Sequence, residues 1–323
     1  MMTRMLLIWI LLLAMFGAVS SQERKIPERT MAVTIDDLPF VKTTETVVLT
    51  RAQRTTKAIL RSLGEHKVPA IGFVVESRLH ATSEVDQRIA LLQRWVDAGV
   101  TLGNHTYSHQ DFNDLTIDEF QDEIIKGEVI TRRLMEPHNP YQLYFRHPMN
   151  HTGDTRCKKE AIEKFLAARG YRIAKHTIEN SDFIFNVPYV QAKQNGDSAL
   201  AERLRESYMA YNLAVTNFAE RISVEIFGRE VAQTLLIHTN DINADCLDIM
   251  LTNWKERGYR FITLDEAMTD PVYATEDTLV TTHGPTWLFR WMKSIGNNIS
   301  FRGDPEPPQW VTDLYWATRR ADR

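Results

Sequence analysis

Val100-Thr101-Leu102-Gly103-Asn104-His105-Thr106-Tyr107-Ser108-His109 decides how this chain is read. Its first half is a short apolar run with Val and Thr that ends in Gly-Asn, the pattern of a strand passing into a loop. Its second half sets two histidines four positions apart, a spacing that lets both reach one metal ion. On a helix the same spacing belongs to metalloproteases, which need a Glu directly after the first His. That position is Thr106 here, so the pair belongs in a loop past a strand, where α/β enzymes carry their chemistry. Two histidines alone do not specify a metal site; they need carboxylates beside them.

Upstream, Thr30–Ile35 reads as a buried strand ending in Asp36-Asp37-Leu38-Pro39. Adjacent carboxylates repel unless something positive lies near them, and the plainer alternative is an Asp-rich turn before Pro39. Thr50–Leu63 has helical periodicity and stops at Gly64, Pro69–Val75 is a second strand, and Asp86–Ala98 a second helix. Strand, helix, strand, helix, strand implies parallel strands joined by right-handed crossovers. Such sheets carry their sites at the carboxyl ends of strands, where Asp36, Asp37, His105 and His109 all fall.

Downstream, Thr116–Met135 is expected to be one helix, opened by a Thr with Glu119 three residues on, as in a capping box. Tyr141–Phe145 is a strand ending in Arg146-His147-Pro148-Met149-Asn150-His151. A helix over Cys157–Arg169 leads to a strand from Tyr171 whose end region is Thr177–Phe183. Ser198–Phe227 is a long amphipathic helix whose apolar positions read as core. Gln233–Ile237 is a strand ending in His238; a helix over Asp245–Arg257, a strand over Tyr259–Thr263 and a helical turn over Leu264–Met268 follow. The tail beyond Asp270 mixes Pro305, Pro307 and Pro308 with Trp287, Trp291, Trp310 and Trp316, as an appendage packed on the body or as part of a substrate groove.

The 323 residues are 43% hydrophobic and 25% charged, enough to bury one large core. A net charge of −4 without a basic stripe argues against a nucleic-acid partner. Met5–Val19 is an uncharged apolar run preceded by Arg4, with small residues for cleavage at its end in Ala18-Val19-Ser20, the pattern of a signal peptide over residues 1–20. The run is shorter than the ~20 residues of a membrane helix, so after cleavage no span is expected; the alternative is an uncleaved N-terminal anchor. Either way the body is exported, to the periplasm or the medium. Two cysteines, Cys157 and Cys246, could pair in an oxidising compartment, and their spacing leaves that open.

The strand-end residues resemble, in order, those of the polysaccharide deacetylase family, the NodB-homology carbohydrate esterases. Thr34-Ile35-Asp36-Asp37-Leu38-Pro39 is similar to the family's Thr-Phe-Asp-Asp-Gly-Pro, and His105-Thr106-Tyr107-Ser108-His109 to its second motif. Arg146-His147-Pro148 resembles the third, Asn180-Ser181-Asp182-Phe183 the fourth and Leu236-Ile237-His238 the fifth. The resemblance implies a distorted (β/α) barrel of seven or so strands over residues 27–270, with residues 271–323 as a C-terminal extension packed on it.

It also implies a divalent metal held by Asp37, His105 and His109, zinc by default with cobalt or iron as alternatives. Asp36 would be the general base toward the attacking water, and Arg146 would hold Asp36 in place. His238 would be the general acid toward the leaving amine, oriented and kept protonated by Asp182. The metal, with a backbone N–H after Pro148, would stabilise the oxyanion. His147 and His151 have no family role and are read as substrate contacts.

Leu38, Met149, Asn150 and Phe183 depart from the family pattern and alter the groove walls. From the full set of motifs and the exported location, the leading expectation is removal of acetyl groups from N- or O-acetylated sugars of a polysaccharide or oligosaccharide. Hydrolysis of a small amide, imide or ester is the alternative, and a non-catalytic carbohydrate-binding protein the third. Oligomeric state is not legible.

Overall fold

The computed structural model describes residues 29–41, 48–297 and 303–321. The expected signal segment, residues 1–20, lies outside them. The fold is organised around β1 (Arg29–Leu38), whose last eight residues are all buried. A strand apolar on both faces is covered on both. In chain order there follow α1 (Leu49–His66), β2 (Ala70–Val74), α2 (Val85–Asp97), β3 (Thr101–Asn104), α3 (Ile117–Lys126), α4 (Val129–Met135) and β4 (Leu143–Phe145). Next come α5 (Arg156–Ala168), β5 (Tyr171–Ile173), β6 (Ile178–Glu179), α6 (Asp182–Gln194), α7 (Ser198–Phe227) and β7 (Gln233–His238). The chain continues with α8 (Asp241–Glu256), β8 (Tyr259–Phe261), α9 (Leu264–Ala267), α10 (Trp287–Ser294) and α11 (Gln309–Ala321).

The strands form one sheet in the order β5-β4-β3-β2-β1-β7-β6, with β8 paired to β1, and every pairing is parallel. The two ends of that path, β5 and β6, are joined by only residues 174–177. At about 3.5 Å per residue so short a link forces the sheet to curl until its edges lie near one another. The result is the expected distorted α/β barrel. Among the described residues its strands number eight, because the stretch after Tyr171 is not one strand with a polar end but two, sitting at opposite edges of the sheet.

Register explains what faces inward. Thr34 and Asp36 of β1 pair with Leu236 and His238 of β7, and Glu179 of β6 also pairs with Leu236. Registered residues of parallel strands share a face, so these five look into the barrel. Ile71 pairs with Thr34, and Phe73 with Gly103. A Cβ on Gly103 would stand 2.6 Å from the Phe73 ring, so the Phe73 ring takes the space that a side chain would need just before the first histidine. Ala32, Ile71, Phe73 and Tyr144 pack with Leu264 and Ala267 of α9, closing the barrel floor. The main core lies outside the sheet, where α1, α2, α7 and α8 bury Ile59, Trp95, Leu204, Tyr208, Leu247 and Met250.

Three helical expectations are corrected. The stretch expected as one helix over Thr116–Met135 breaks after α3, and α4 begins at Val129. Gly127 lies in the break against the backbone of Thr106 and Tyr107, where a Cβ would come within 2.4 Å of the Thr106 carbonyl carbon. The helix before β8 begins at Asp241, four residues earlier than expected, capped by the Asn240 side chain on the Asn243 amide. Third, α6 follows Ser181, a stretch whose polar start and internal Pro188 hide it in the sequence. Cys157 is exposed and Cys246 buried, and both are free thiols.

The tail packs on the barrel. Trp287 and Trp291 are buried in the main core, and Arg290 and Lys159 share Asp277 at 2.9 Å each. Trp310 lies under the guanidinium of Arg203, 4.0 Å from its centroid. Trp316 is half exposed.

Candidate active site

The His105–His109 loop leaves β3 through Asn104, whose side chain is anchored from below. Its Nδ2 donates to the Ile124 carbonyl at 2.9 Å and to Tyr171 at 3.2 Å, while its Oδ1 accepts from the Thr106 amide at 2.7 Å. Glu123 of α3 clamps the far side, accepting from the Ser108 amide and hydroxyl at 2.7 and 2.8 Å. These bonds hold Thr106 and His109 at φ of 67° and 59°, a left-handed conformation that side chains other than Gly seldom adopt. The His105 ring donates from Nδ1 to the Arg146 carbonyl at 2.7 Å. That bond fixes the tautomer and leaves Nε2 with a free lone pair. Burial lowers the pKa of His105 well below its ordinary value and also lowers that of His109, so both stay neutral, as a ligand must.

Asp36 and Asp37, successive on a strand, point to different neighbours, which answers their mutual repulsion. Asp37, at φ 73°, brings Oδ1 to 3.9 Å from His105 Nε2 and 3.5 Å from His109 Nε2. One donor atom from each of the three residues lies within 4.8 Å of the others. Asp37 Oδ1 is buried and accepts no well-formed hydrogen bond, although Arg78 Nη1 stands 3.0 Å away. Burial would raise the Asp37 carboxyl, but Arg78 and His109 hold it well below the usual carboxylate range. An anionic oxygen and two neutral imidazoles converging on one point fit a divalent ion of borderline softness. Arg78 also donates to the carbonyls of Asp37 and Phe40 at 3.1 and 3.2 Å. Nothing in the sequence singled it out; it sits one turn beyond β2, the usual place for site residues in this fold.

Asp36 is almost fully buried, its Oδ2 3.8 Å from His105 Nε2 and its Oδ1 3.7 Å from Arg146 Nε. Burial raises its pKa to about 6 against the opposing pull of Arg146 and His238. Arg146 is itself fully buried, donating to Thr34 Oγ1 at 2.8 Å with its guanidinium 5.1 Å from the centre of the Phe73 ring.

Opposite stands His238, in register with Asp36. Its Nδ1–H donates to Asp182 Oδ1 at 2.7 Å and its amide to Asp182 Oδ2 at 2.7 Å. Asn243 adds a third donor to the same carboxylate. Burial depresses the His238 imidazole, yet the Asp182 carboxylate outweighs it and raises the pKa to about 10. The ring is therefore a cation at neutral pH with Nε2–H left to donate.

Glu179, absent from the sequence-derived set, faces the same interior, and burial raises its pKa to about 7. The two additional histidines fare differently from expectation. His147 is buried, its ring 5.9 Å from that of Phe120 and 4.9 Å from that of Phe145; burial and nearby Arg290 push it down to about 3. It is a core residue and no substrate contact. His151 is tied to Asp111 at 2.7 Å, outside the lining of the cleft.

Asp36, Asp37, His105, His109 and His238 open onto a cleft of about 700 Å³. Met149 and Asn150 form one rim, and Gly284 of the tail seats so closely on them that a Cβ would overlap the Met149 carbonyl. Phe183 and the α11 residues Tyr315, Thr318 and Arg319 form another. Arg146 and Asp182 lie behind the surface, against Asp36 and His238 respectively. All seven sequence-derived site residues are thus gathered in one place.

Residues 23–164 match the family model described as Polysaccharide deacetylase, a span that contains Asp36, Asp37, His105, His109 and Arg146. Over 79 residues the chain is 35% identical to the peptidoglycan-N-acetylglucosamine deacetylase of Bacillus cereus, a match covering 24% of this chain and 26% of that protein. The chain therefore spans about a quarter of that relative. Among solved structures, a family 4 carbohydrate esterase pseudoenzyme from Bacillus anthracis is 19% identical at a TM-score of 0.49, covering 75% of this chain and 66% of that one. The peptidoglycan deacetylase PdaC from Bacillus subtilis is 20% identical at a TM-score of 0.47, covering 75% and 92%. The likeness to polysaccharide deacetylases thus covers residues 23–164, with local identity to a named deacetylase over 79 residues.

Proposed function

We propose that this protein is an exported hydrolase that removes acetyl groups from the N-acetylated sugars of a glycan, with a divalent ion, by default zinc, held by Asp37, His105 and His109. The observation that carries the proposal is the pairing, side by side in one cleft, of two proton carriers of opposite character. Asp36, with a pKa near 6, faces His238, with a pKa near 10. A base and an acid whose environments have pushed them apart are what amide hydrolysis at neutral pH requires.

When bound, the ion supplies a Lewis acid that makes water more acidic and polarises the acyl carbonyl. The protein's own groups do the rest. Asp36 takes the proton of water as its oxygen bonds to the acyl carbon. Arg146, 3.7 Å from Asp36 Oδ1, keeps that carboxylate aimed and stabilises its charge. As the carbon–nitrogen bond breaks, His238 Nε2–H gives its proton to the nitrogen, so that a neutral amine leaves. Asp182 accepts from the His238 ring Nδ1–H and from its backbone amide, which orients the ring and stabilises its charged form. The oxyanion would be received by the amide of Met149, the first after Pro148, a reading supported by the presence of Met149 in the cleft lining.

Glycan as the substrate class draws on the relative's name and on the exposed Phe183 and Met149 at the cleft. Acetate release from chitin oligosaccharides, peptidoglycan fragments and acetylated xylan by the zinc-loaded protein is the test. Release from at least one, abolished in Asp36→Asn, supports the assignment. Turnover of small amides or esters alone would move the function to the alternative hydrolase, and binding without turnover to a carbohydrate-binding protein.

A further inference from the structure

The cleft extends past the catalytic groups to a wall built by the tail, beyond the span of the family match. Helix α11 lies along α6, and its Tyr315, Thr318 and Arg319 line the cleft together with Phe183. Phe183 is 42% exposed, leaving apolar surface open on the cleft wall beside the polar site. It meets His238 edge-on at 6.4 Å and Tyr315 edge-on at 6.3 Å. An aromatic pair thus begins one ring away from the group that protonates the leaving nitrogen.

The charge of this wall differs from that of the cleft floor. The carboxylates Asp36, Asp37 and Glu179 all lie at the inner end, whereas the outer lining from α6 and α11 carries amides and hydroxyls and no acid. Three arginines reach the cleft. Arg51 is committed to Asp241 at 2.5 Å and Arg78 to Asp37 at 3.0 Å. Arg319 has no ion pair among the described residues.

We propose that α11 completes a second sugar subsite, in which Tyr315 takes the apolar face of the ring next to the acetylated one, Phe183 walls its edge, and Arg319 binds a carboxylate carried by that ring. The substrate class is then an acidic glycan, acetamido sugars alternating with or bearing carboxylate substituents, of at least two residues. This deepens the deacetylase assignment and rests on it. Aromatic faces stack on the C–H face of a sugar as on other apolar surfaces, and a guanidinium is the side chain best matched to a carboxylate.

Calorimetric titration of the zinc-loaded Asp36→Asn protein, which keeps the glycan intact, separates the parts. The probes are a neutral N-acetylglucosamine tetramer and a peptidoglycan tetrasaccharide bearing lactyl carboxylates. With Tyr315 intact the acidic tetramer binds more tightly, and the difference shrinks at high salt. Adding Tyr315→Ala weakens both about fivefold, while Tyr315→Phe keeps affinity. Arg319→Gln weakens the acidic probe alone, about threefold. Unchanged affinity in Tyr315→Ala, with thermal melting intact, overturns the aromatic subsite. Equal effects of Arg319→Gln on both probes, or none, overturn the carboxylate. If the parent releases no acetate from any glycan yet shows Tyr315-dependent binding, the deacetylase assignment fails and the subsite stands; the reverse pattern removes the subsite alone.

Discussion

Asp36 of β1 and His238 of β7 are registered partners on adjacent parallel strands. Their side chains therefore enter the barrel on the same face, and no loop movement is needed to keep the carboxylate and the imidazole together on one side of the cleft. The main chain adds a second tie, the Thr239 amide donating to the Asp36 carbonyl at 3.1 Å. Groups placed by strands are held more tightly than groups placed by loops, and here His105 and His109, the proposed metal ligands, lie in the loop after β3.

Asp182→Asn tests what keeps His238 protonated. With Asp182, the imidazole remains charged to about pH 10; without the carboxylate, burial pulls its pKa toward or below ~6.5. The alkaline limb of the pH–kcat profile should move from near 10 to near neutrality, with a rate loss of about 10²-fold or more at pH 8. The stability effect has a definite sign. A folded pKa above the unfolded one contributes stability that is complete below ~6.5 and is lost as pH rises through about 10. The melting temperatures of parent and variant should thus converge above pH 10, and a constant gap from pH 6 to 11 would contradict the linkage.

Gly127→Ala and Gly64→Ala form a matched pair. A Cβ at Gly127 would fall 2.4 to 2.7 Å from the Thr106–Tyr107 backbone, while at Gly64, within α1, it meets nothing within 4 Å. The first change should cost about 2 kcal/mol and disturb the His105 loop, seen as weaker zinc binding. The second should leave zinc binding unchanged and raise stability by about 0.5 kcal/mol. Urea denaturation and metal titration of both variants would check this.

The barrel was legible because buried parallel strands write themselves as apolar runs and the polar residues gather just after them. Thr30–Ile35, Pro69–Val75 and Gln233–Ile237 needed nothing more. Glu179 and Arg78 were not legible, since a lone charge after a strand looks like any solvated loop residue until register or a carbonyl pair reveals its direction. The start of α6 was hidden because Asn180-Ser181-Asp182 is turn chemistry and Pro188 is a helix breaker; tertiary packing of Phe185 and Tyr189 into the core outweighs both. His147 misled for the opposite reason, as its place in the third motif suggested the cleft while its ring turns into the Phe120–Phe145 cluster.

Asp277→Asn tests how the tail is moored. Its carboxylate serves two buried cations, Arg290 and Lys159, at 2.9 Å each. Arg290 also reaches the Asn150 carbonyl at 3.4 Å, which connects the tail to the cleft rim. Loss of the anion leaves the guanidinium buried without its partner, at a cost of about 3 kcal/mol. The variant should melt at lower temperature, and limited proteolysis should cut first within residues 271–297. Cleavage at the parental rate would mean that apolar packing of Trp287 and Trp291 holds the tail unaided.

Asp36→Asn and the double change His105→Ala, His109→Ala separate proton transfer from metal holding. Asp36 lies 3.8 Å from His105 Nε2, close enough to be mistaken for a ligand, but its pKa of about 6 and its approach to Arg146 fit a base. Elemental analysis should find one equivalent of metal in the parent and in Asp36→Asn, and none in the double variant. Turnover by Asp36→Asn should fall about 10³-fold with KM nearly unchanged. Were Asp36→Asn to lose its metal as well, Asp36 would be a ligand, and the base would have to be sought in Glu179, the remaining carboxylate of the cleft whose pKa lies near neutrality.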